Sequence, residues 1–305
     1  MARRSGRRHR SRGDRGIDVR GHRRIGAAPG DRPAIAHPGH PAGVAPAGGT
    51  ADGPDRREDA TMTRAQAPTS PRGGVSLHGV DKTFGTAAAS VHALRGIDLD
   101  IEPGELVAIV GESGSGKTTL LNVIGGIEEA NSGSINVAGQ DISGCRPRAL
   151  SKFRRDHVGF IFQFFNLIPT LTAKENVEVI VELTGRGDRR RATELLDAVG
   201  LADRAGSFPG QLSGGQQQRV AIARALITDP DLLLADEPMG ALDVATGRRV
   251  LELLQQTNRS GLGVIMVTHN RAAADVADRI IQMRDGAIVE QRRNSAPAEA
   301  SSVRW

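Results

Sequence analysis

The sequence predicts an α/β fold built on a parallel sheet, and two observations support this prediction. Strand-like and helix-like runs alternate along the chain: the apolar stretches "LLLA" (232–235) and "GVIMVT" (263–268) flank a helical pattern at 246–258. A glycine-rich loop, "GESGSGKTT" (111–119), joins another apolar stretch to a helical one. Such alternation is typical of parallel strands connected by helices that pack on the sheet.

The segments before the glycine-rich loop have a different pattern. "VSLHGVDKTFG" (75–85) and "VHALRGIDLDI" (91–101) alternate apolar and polar residues, as half-buried antiparallel strands do. Further along, "GSINVAGQDI" (133–142) has the pattern of another hairpin strand. These segments predict a separate antiparallel sheet.

The remaining elements follow from their apolar patterns. Leu106 to Val110 is a continuous apolar strand that ends in the glycine-rich loop, and we expect a helix from Lys117 to Ile127. Residues 172–226 have a mainly helical pattern, and the chain has no internal repeat. With 305 residues and 38% hydrophobic residues, the chain is large enough for a sizeable core.

The two ends of the chain lack such patterns. Residues 1–74 are rich in Arg, Gly, Pro and Ala, so we expect them to be disordered, and we expect 291–305 to be a flexible tail. One alternative makes the first segment a basic arm that touches acidic lipid or nucleic acid. Another places the true start of translation at Met62, leaving residues 1–61 untranslated. The globular body would be residues 75–290.

Charge and composition exclude several functional classes. The first 60 residues contain 13 Arg, no Lys and seven acidic residues, so they carry +6 while the whole chain carries +5. The basic pI therefore reflects this segment, and we expect no nucleic-acid partner for the body. The one cysteine, Cys145, excludes an internal disulfide and suits a reducing compartment. No apolar run approaches a spanning length of about 18 residues, and no secretory signal is apparent.

The glycine-rich loop predicts a phosphate site. Gly111 to Thr118 fits G-x-x-x-x-G-K-[ST] between a predicted strand and a predicted helix, which is the context that this motif requires. Its backbone N–H groups would cradle phosphates, Lys117 would reach the β- and γ-phosphates, and Thr118 would hold Mg²⁺. The expected nucleotide contacts are Gly111, Glu112, Ser113, Gly114, Ser115, Gly116, Lys117, Thr118 and Thr119. The alternative is a glycine-rich turn without a ligand.

Acidic residues and a histidine end the next two buried strands. Asp236 would lie at the carboxyl edge of the sheet, where ligands bind in open α/β folds, and would orient Mg²⁺. Glu237 would polarise the attacking water as general base. His269, at the end of the adjacent strand, would donate to a γ-phosphate. The alternatives are a surface acid pair and a structural histidine.

A second glycine turn begins another helix. In "LSGGQQQRVAIARAL" (212–226), Ser213, Gly214 and Gly215 would form the start of a helix. One face of that helix would carry Val220, Ala223, Leu226 and Ile227. Such a helix start attracts anions. Because the first loop already cradles phosphates, the second site either serves another ligand or meets the same ligand from another subunit. The alternative is a capped helix with a glycine turn.

Together these motifs resemble the ATP-binding subunit of ABC transporters, over about residues 75–290. "GESGSGKTT" is similar to its Walker A, "LSGGQ" to its signature, "LLLADEP" to its Walker B, "GALD" (240–243) to its D-loop, and "FIFQ" to its Q-loop. The resemblance implies a P-loop NTPase with a RecA-like parallel sheet core, an antiparallel β subdomain and a helical subdomain inserted at about 164–226.

The resemblance also implies roles for individual residues. In this family two subunits pack head to tail, and the signature of one closes over ATP held by the other. Residues Ser213, Gly214, Gly215 and Gln216 would thus contact the partner's ATP, and Asp243 would belong to the ATP site. Gln163 would contact Mg²⁺ or the attacking water. Phe84 stands where the family often has a tyrosine that stacks on adenine, although a core Phe on an edge strand is the alternative.

The resemblance finally implies a function. The chain is most similar to the lipoprotein-releasing and macrolide-exporting subgroup, so we expect an ATPase that requires ATP and Mg²⁺ and powers a separate integral membrane permease. It would form a homodimer and lie at the cytoplasmic face of the plasma membrane. The apolar run Phe164, Phe165, Leu167 and Ile168 would lie near the groove that receives a permease helix, with Phe165 or Leu167 exposed.

Two alternatives to transport remain open. One is an ATP-driven regulator whose membrane partner transmits force to an envelope enzyme without moving solute. The other is a soluble DNA-repair or translation ATPase, although the chain has neither a long coiled-coil insertion nor a second cassette. Met239 departs from the small polar residue that is usual in the subgroup.

Overall fold

The computed structural model describes residues 72–86, 89–240 and 242–303. The disorder expected for residues 1–71 and a start at Met62 concern residues outside this part of the chain. Residues 72–74, which the sequence analysis assigns to the disordered extension, are instead hydrogen bonded to the body: the Arg72 amide donates to the Gly261 carbonyl (3.0 Å), and the Ala138 amide donates to the Gly74 carbonyl (2.8 Å). The ordered body therefore begins before residue 75.

The described residues form ten strands and seven α-helices. The strands are β1 (Val75–Thr86), β2 (Ala89–Ile101), β3 (Leu106–Val110), β4 (Ser132–Val137), β5 (Gln140–Asp141), β6 (Val158–Ile161), β7 (Leu232–Asp236), β8 (Gly263–Thr268), β9 (Arg279–Arg284) and β10 (Ala287–Arg293). The helices are α1 (Lys117–Ile124), α2 (Pro147–His157), α3 (Ala173–Thr184), α4 (Arg190–Ala198), α5 (Gly214–Leu226), α6 (Val244–Arg259) and α7 (Arg271–Ala274).

Two sheets organise the body. The larger has the order β10-β9-β3-β8-β7-β6 and is parallel except at β10, which pairs antiparallel with β9. The smaller is antiparallel, with the order β2-β1-β4-β5. Both the predicted parallel core and the predicted antiparallel sheet are confirmed.

The parallel sheet separates two hydrophobic cores. Along β3, Val107 and Ile109 face the core shared with the antiparallel sheet, whereas Leu106, Ala108 and Val110 face the core shared with the helices α3 to α6. Successive side chains of a strand point to opposite faces. A strand covered on both faces is apolar at every position, which explains the continuous apolar run in the sequence.

Three helices occupy the region in which a helical insertion was expected. Helices α3, α4 and α5 follow β6, and α3 starts with a capping box in which Thr172 and Glu175 exchange hydrogen bonds with each other's backbone amides. Most of the predicted apolar face of α5 is buried: Val220, Ala223 and Ile227 are inaccessible to solvent, and Leu226 is partly buried against the core. The segment thereby packs onto the sheet.

The first helix is shorter than expected. Helix α1 ends at Ile124, not Ile127. A Cβ atom at Gly125 would lie 2.0 Å from the Phe160 ring, and Gly126 has a left-handed φ of 64°. The helix therefore ends where the Phe160 ring, which belongs to β6, packs against Gly125.

Helix α2 was not predicted. Of its eleven residues only Leu150 and Phe153 are buried, so its apolar periodicity is too short to recognise.

The C-terminal segment is packed rather than flexible as far as residue 303. Ala300 and Val303 are buried against α6, and the Gln255 side chain donates to the Ala298 carbonyl (3.0 Å) and accepts from the Ala300 amide (3.2 Å). The Arg248 guanidinium also donates to the Val303 carbonyl (3.0 Å). The expectation of a flexible tail over 291–303 is wrong. The Gln255 side chain of α6 forms hydrogen bonds with backbone groups of this irregular segment and so holds it in place. None of the helices in the described ranges is long and apolar enough to span a membrane.

Candidate functional site

The glycine-rich loop links β3 to α1 and has the backbone expected of a phosphate cradle. Gly114 and Gly116 have left-handed φ angles of 81° and 98°. A Cβ atom at Gly116 would approach the Ala93 carbonyl oxygen to 2.4 Å, so only glycine fits there. Gly116 is also the N-cap of α1 and provides no side-chain cap. The first N–H groups of α1 therefore have no side-chain acceptor, which is the usual state of an anion-binding helix start.

Lys117 lies across the mouth of this loop. Its side chain is largely buried, with the residue 8% exposed, and its ammonium donates to the carbonyl oxygens of Gly111 (3.0 Å) and Glu112 (2.7 Å). Within the described residues, the buried Ser115 hydroxyl has no hydrogen-bond partner. A cation and an unsatisfied hydroxyl thus belong to the same loop.

Asp236 and Thr118 bring two oxygens together beside the loop. The Thr118 hydroxyl donates to the Asp236 carboxylate (3.2 Å). Burial raises the pKa of Asp236 above its ordinary value, and the neighbouring Glu237 charge adds to the rise, while the Thr118 hydrogen bond opposes it. Hydroxyl and carboxylate oxygens are ligands that suit Mg²⁺, so this pair fits the predicted metal site.

Glu237 and His269 form a pair at the ends of β7 and β8. His269 Nδ1 lies 3.0 Å from Glu237 Oε1. Glu237 has a left-handed φ of 44°, which is strained for a residue with a side chain, and its amide donates to the Val267 carbonyl (3.0 Å). The adjacent strand thus holds Glu237 in a conformation that the residue alone would not favour.

These groups share one open cleft of about 910 Å³, which is the size of a small-molecule site. Predicted residues that line it are Phe84, Ser113, Gly114, Gly116, Lys117, Thr118, Thr119, Gln163, Glu237 and His269. The cleft therefore joins the phosphate loop, the aromatic residue, the glutamine and the acid–histidine pair. Gly111, Glu112 and Asp236 adjoin it through their contacts with Lys117 and Thr118.

Several cleft residues were missed by the sequence analysis. They are Ser90, Val91, His92, Ala93 and Arg95 of β2, and Asp285 and Gly286 of the turn between β9 and β10. Gly286 reaches the loop by a backbone hydrogen bond to the Ser115 carbonyl (3.1 Å). No local signal marks these residues, because β2 pairs with β1 and crosses the loop only in the folded structure.

Phe84 lines the cleft and is 38% exposed, so it is not a core residue of an edge strand. It lies opposite Val91 in the β1–β2 pair. The Lys82 ammonium is 4.7 Å from the centre of its ring, a cation–π contact. An aromatic ring at the mouth of a phosphate cleft can stack on a nucleobase.

The second glycine turn lies outside this cleft. Ser213 caps α5: its hydroxyl accepts from the Gln216 amide (3.3 Å), and the Gln216 side chain accepts from the Ser213 amide (2.8 Å). Gly215 packs against α6, since a Cβ atom there would lie 2.0 Å from a Thr246 methyl group. Ser213, Gly214, Gly215 and Gln216 are thus brought together, but not with the phosphate loop of their own chain.

Asp243 has a structural contact that was not expected. It caps α6 by accepting from the Thr246 hydroxyl (2.6 Å) and amide (3.1 Å), bonds that lower the pKa of Asp243. It does not line the cleft. Met239, whose departure from the subgroup was unexplained, packs in the core beside the helices.

In the apolar run after Gln163, the exposed residues are not the ones that the sequence predicts. Phe165 and Leu167 are partly buried, and the Arg224 guanidinium donates to the Phe165 carbonyl (2.8 Å). The exposed members are Phe164 (75%) and Ile168 (40%). The proposal that Phe165 or Leu167 is the exposed anchor is therefore wrong, because Arg224 and the core hold that part of the segment inward.

Comparison with known proteins gives consistent similarities. The family model described as ABC transporter matches residues 94–240. The macrolide export ATP-binding/permease protein MacB of Rhodopseudomonas palustris (strain HaA2) is 50% identical over 227 residues, which are 73% of this chain and 35% of that protein. MacB of Sodalis glossinidius is 48% identical over 222 residues, 72% of this chain and 34% of that protein. The chain thus spans about a third of the length of the curated relatives it matches.

Two solved structures are similar over nearly their whole length. One is the dimeric post-hydrolysis state of the ATP-binding cassette MJ0796 bound to ADP and Pi; the other is a dimeric structure of MJ0796, a bacterial ABC transporter cassette. Each is 42% identical, covers 73% of this chain and 99% of its own, and has a TM-score of 0.68.

Proposed function

Since the chain belongs to the ABC transporter family as one of its ATPase cassettes, we propose that its ATP cycle drives a membrane permease in an export reaction. The observation that carries this proposal is the shared cleft, in which the phosphate loop and the Glu237–His269 pair face one another. The names of the MacB relatives support macrolide-type export. Lipoprotein release is the other reaction that the sequence resemblance implies.

The phosphate loop would bind the triphosphate. The N–H groups of the loop and of the first turn of α1 would cradle the oxygens, and Lys117 would exchange its two carbonyl acceptors for phosphate oxygens. Thr118, Asp236 and Gln163 would hold Mg²⁺, which when bound neutralises charge on the phosphates. Phe84 would stack on the base.

Glu237 would orient and deprotonate the attacking water, and His269 would hold the transferred phosphoryl group. A neutral His269 that donates from Nδ1 to Glu237 has only an acceptor at Nε2. It can donate to a phosphate oxygen only as an imidazolium or after leaving Glu237. The orientation of Glu237 would therefore depend on whether His269 is bonded to the γ-phosphate.

The signature would act on the ATP of a second subunit. Ser213 to Gln216 lie outside the cleft of their own chain, and the related MJ0796 cassettes are dimeric. A head-to-tail homodimer would place the start of α5 over the partner's phosphates. Asp243 would then support the interface through its cap on α6.

The chain would lie at the cytoplasmic face of the plasma membrane through a permease. The MacB relatives combine ATP-binding and permease parts in one protein. Phe164 follows Gln163 directly, Ile168 lies four residues further on, and both are exposed, so they are suitable apolar anchors for a permease helix.

Replacement of Glu237 by glutamine tests this function. The isosteric amide cannot accept the proton, so turnover should fall by about two or more orders of magnitude while ATP still binds. The ATP-bound dimer should then persist in sedimentation with Mg-ATP. Near-normal turnover, or a monomer in both proteins, would contradict the proposal.

A further inference from the structure

The buried face of α5 carries one polar side chain that the site described above does not use, Gln218. The residue is 1% exposed, and within the described residues neither its Oε1 nor its Nε2 has a hydrogen-bond partner. An amide buried in this way costs free energy, because its hydrogen bonds to water are lost and no protein group replaces them. Folded proteins keep few such groups, so the presence of Gln218 requires an explanation.

Gln255 of α6 is a buried glutamine in the opposite condition. It is 7% exposed, its Nε2 donates to the Ala298 carbonyl (3.0 Å), and its Oε1 accepts from the Ala300 amide (3.2 Å). Both ends of this amide stabilise the free protein, whereas neither end of the Gln218 amide does so. The same apolar substitution should therefore have opposite effects on stability at the two positions.

The position of Gln218 in α5 indicates where its amide can form bonds. Gln218 lies three residues after Gly215 and four after Gly214, so the three residues share one face of the helix. Long side chains in a helix point back toward its N-terminus, which directs the Gln218 amide beneath the first turn. A Cβ atom at Gly214 would lie 3.5 Å from the Phe165 ring and 3.9 Å from Leu242. Leu242 belongs to the connection between β7 and α6.

This connection, from Glu237 to Asp243, we name the β7–α6 segment. A Cβ atom at Gly240 would lie 3.6 Å from the Glu237 Cβ atom and 3.9 Å from Gln163 Nε2. At the other end, Asp243 caps α6 through Thr246, whose methyl group packs against the first turn of α5. One short segment thus contacts both the catalytic residues of the cleft and the helix that carries Gln218.

We propose that Gln218 is a positioning residue for ATP hydrolysis, whose amide bonds the backbone of the β7–α6 segment in the ATP-bound dimer. The amide has no partner in the free subunit, so bonds that form only in the dimer favour that state over the free one. Through these bonds the start of α5 would hold the segment against Glu237, without any contact between Gln218 and ATP. This inference rests on the proposed function, since it requires that the start of α5 act on the ATP of a second subunit.

Gln218→Met tests the inference, because methionine has a similar length and lacks the amide. The melting temperature should stay the same or rise by about 1–3 °C, since an unpaired buried amide is removed. The kcat of ATP hydrolysis should fall about tenfold, the effect of one lost hydrogen bond. The KM for ATP should stay within about twofold, because the lost interaction is absent from the free subunit.

Sedimentation with Mg-ATP measures the dimer directly. In the Glu237→Gln background, Gln218→Met should weaken the ATP-dependent dimer about tenfold. Gln255→Met is the matched control, and it should lower the melting temperature by about 3 °C or more while kcat, measured below the melting transition, is unchanged. If Gln218→Met does not fold, Gln218→Leu is the second variant; failure of both to fold would show that the free protein needs the amide, and would overturn the inference.

Other outcomes also overturn the inference. A melting temperature lowered in Gln218→Met as in Gln255→Met would show that the amide is bonded in the free protein, for example to a buried water. Full kcat in a stable variant would show that the amide is merely tolerated. A Glu237→Gln dimer that is equally strong with Gln218→Met would contradict the inference and leave the proposed function intact, whereas a Glu237→Gln protein that never dimerises would contradict the proposed function itself.

Discussion

The helices α1 and α5 both begin at glycine-rich turns, but their first turns are completed in opposite ways. Gly116 caps α1 with no side chain, so the N–H groups of that turn lack a side-chain acceptor. Ser213 and Gln216 complete the first turn of α5 with a reciprocal capping box. One helix start is open to an anion, whereas the other is already satisfied within its own chain.

The surroundings of the two helix starts also differ, because groups that are unfavourable in the free protein lie beside α1. Beside α1, the Ser115 hydroxyl has no partner among the described residues, burial raises the pKa of Asp236, and Glu237 has a strained φ of 44°. Each of these is unfavourable in the free protein and would be relieved or used by a bound nucleotide. The start of α5 has no residue with a positive φ, and its capping box is complete before a second subunit arrives. Its one similar feature is the buried Gln218 side chain, which has no hydrogen-bond partner among the described residues.

The largest expected effect comes from disabling the open helix start. Lys117→Ala removes the ammonium that crosses the loop mouth, so ATPase activity should fall by about two or more orders of magnitude, with weaker nucleotide binding. Lys174→Ala, at an exposed lysine of α3, is the control and should leave both unchanged. Turnover within about threefold of wild type in the Lys117 variant would remove the distinction between the two helix starts.

A smaller effect is expected at the satisfied helix start, and the chain offers a matched control. Ser213 and Thr172 are both N-caps with capping boxes, and the corresponding hydrogen bonds have the same lengths, 2.8 and 3.3 Å. Alanine at either position should lower stability by about 1 kcal/mol. Only Ser213→Ala should also lower ATPase activity, by about tenfold, and weaken the Mg-ATP-dependent dimer.

Melting curves, ATPase rates and sedimentation of both variants decide this prediction. Equal ATPase losses in Ser213→Ala and Thr172→Ala would mean that the signature is only a structural cap.

The smallest effect concerns the buried carboxylate beside α1. Because the pKa of Asp236 is raised in the folded state, protonation of Asp236 stabilises the fold fully below its unfolded pKa of about 4, and this stabilisation is lost as the pH rises through the folded pKa. Asp236→Asn should therefore raise the melting temperature at pH 7 by about 1–3 °C, a modest amount since the site is partly open to water.

The gain should shrink as the pH falls toward 4. Asp197→Asn, at an exposed carboxylate of α4, should show no such gain. The opposite result would be a melting temperature of Asp236→Asn, measured relative to wild type, that is lower at pH 7 than at acidic pH. That result would show that ionised Asp236 stabilises the free protein.

Local sequence patterns were sufficient for the framework of this protein. The continuous apolar runs of β3, β7 and β8 predict strands buried on both faces, and the loop from Gly111 to Thr118 predicts a phosphate site, because both patterns depend on neighbouring residues. The capped start of α5 is likewise readable from Ser213 and Gln216. These features are governed by short-range sterics and hydrogen bonding, so they can be read without knowing what else packs nearby.

Long-range packing decided the rest. His92 and Arg95 reach the cleft because β2 crosses the loop, and Ala300 is buried because Gln255 of α6 bonds the backbone around it. Phe165 is likewise partly buried where Arg224 of α5 donates to its carbonyl, whereas Phe164 is exposed. In each case the two contacting segments are about 20 to 60 residues apart in sequence. Such contacts depend on how the sheets and helices meet, and no local periodicity records them.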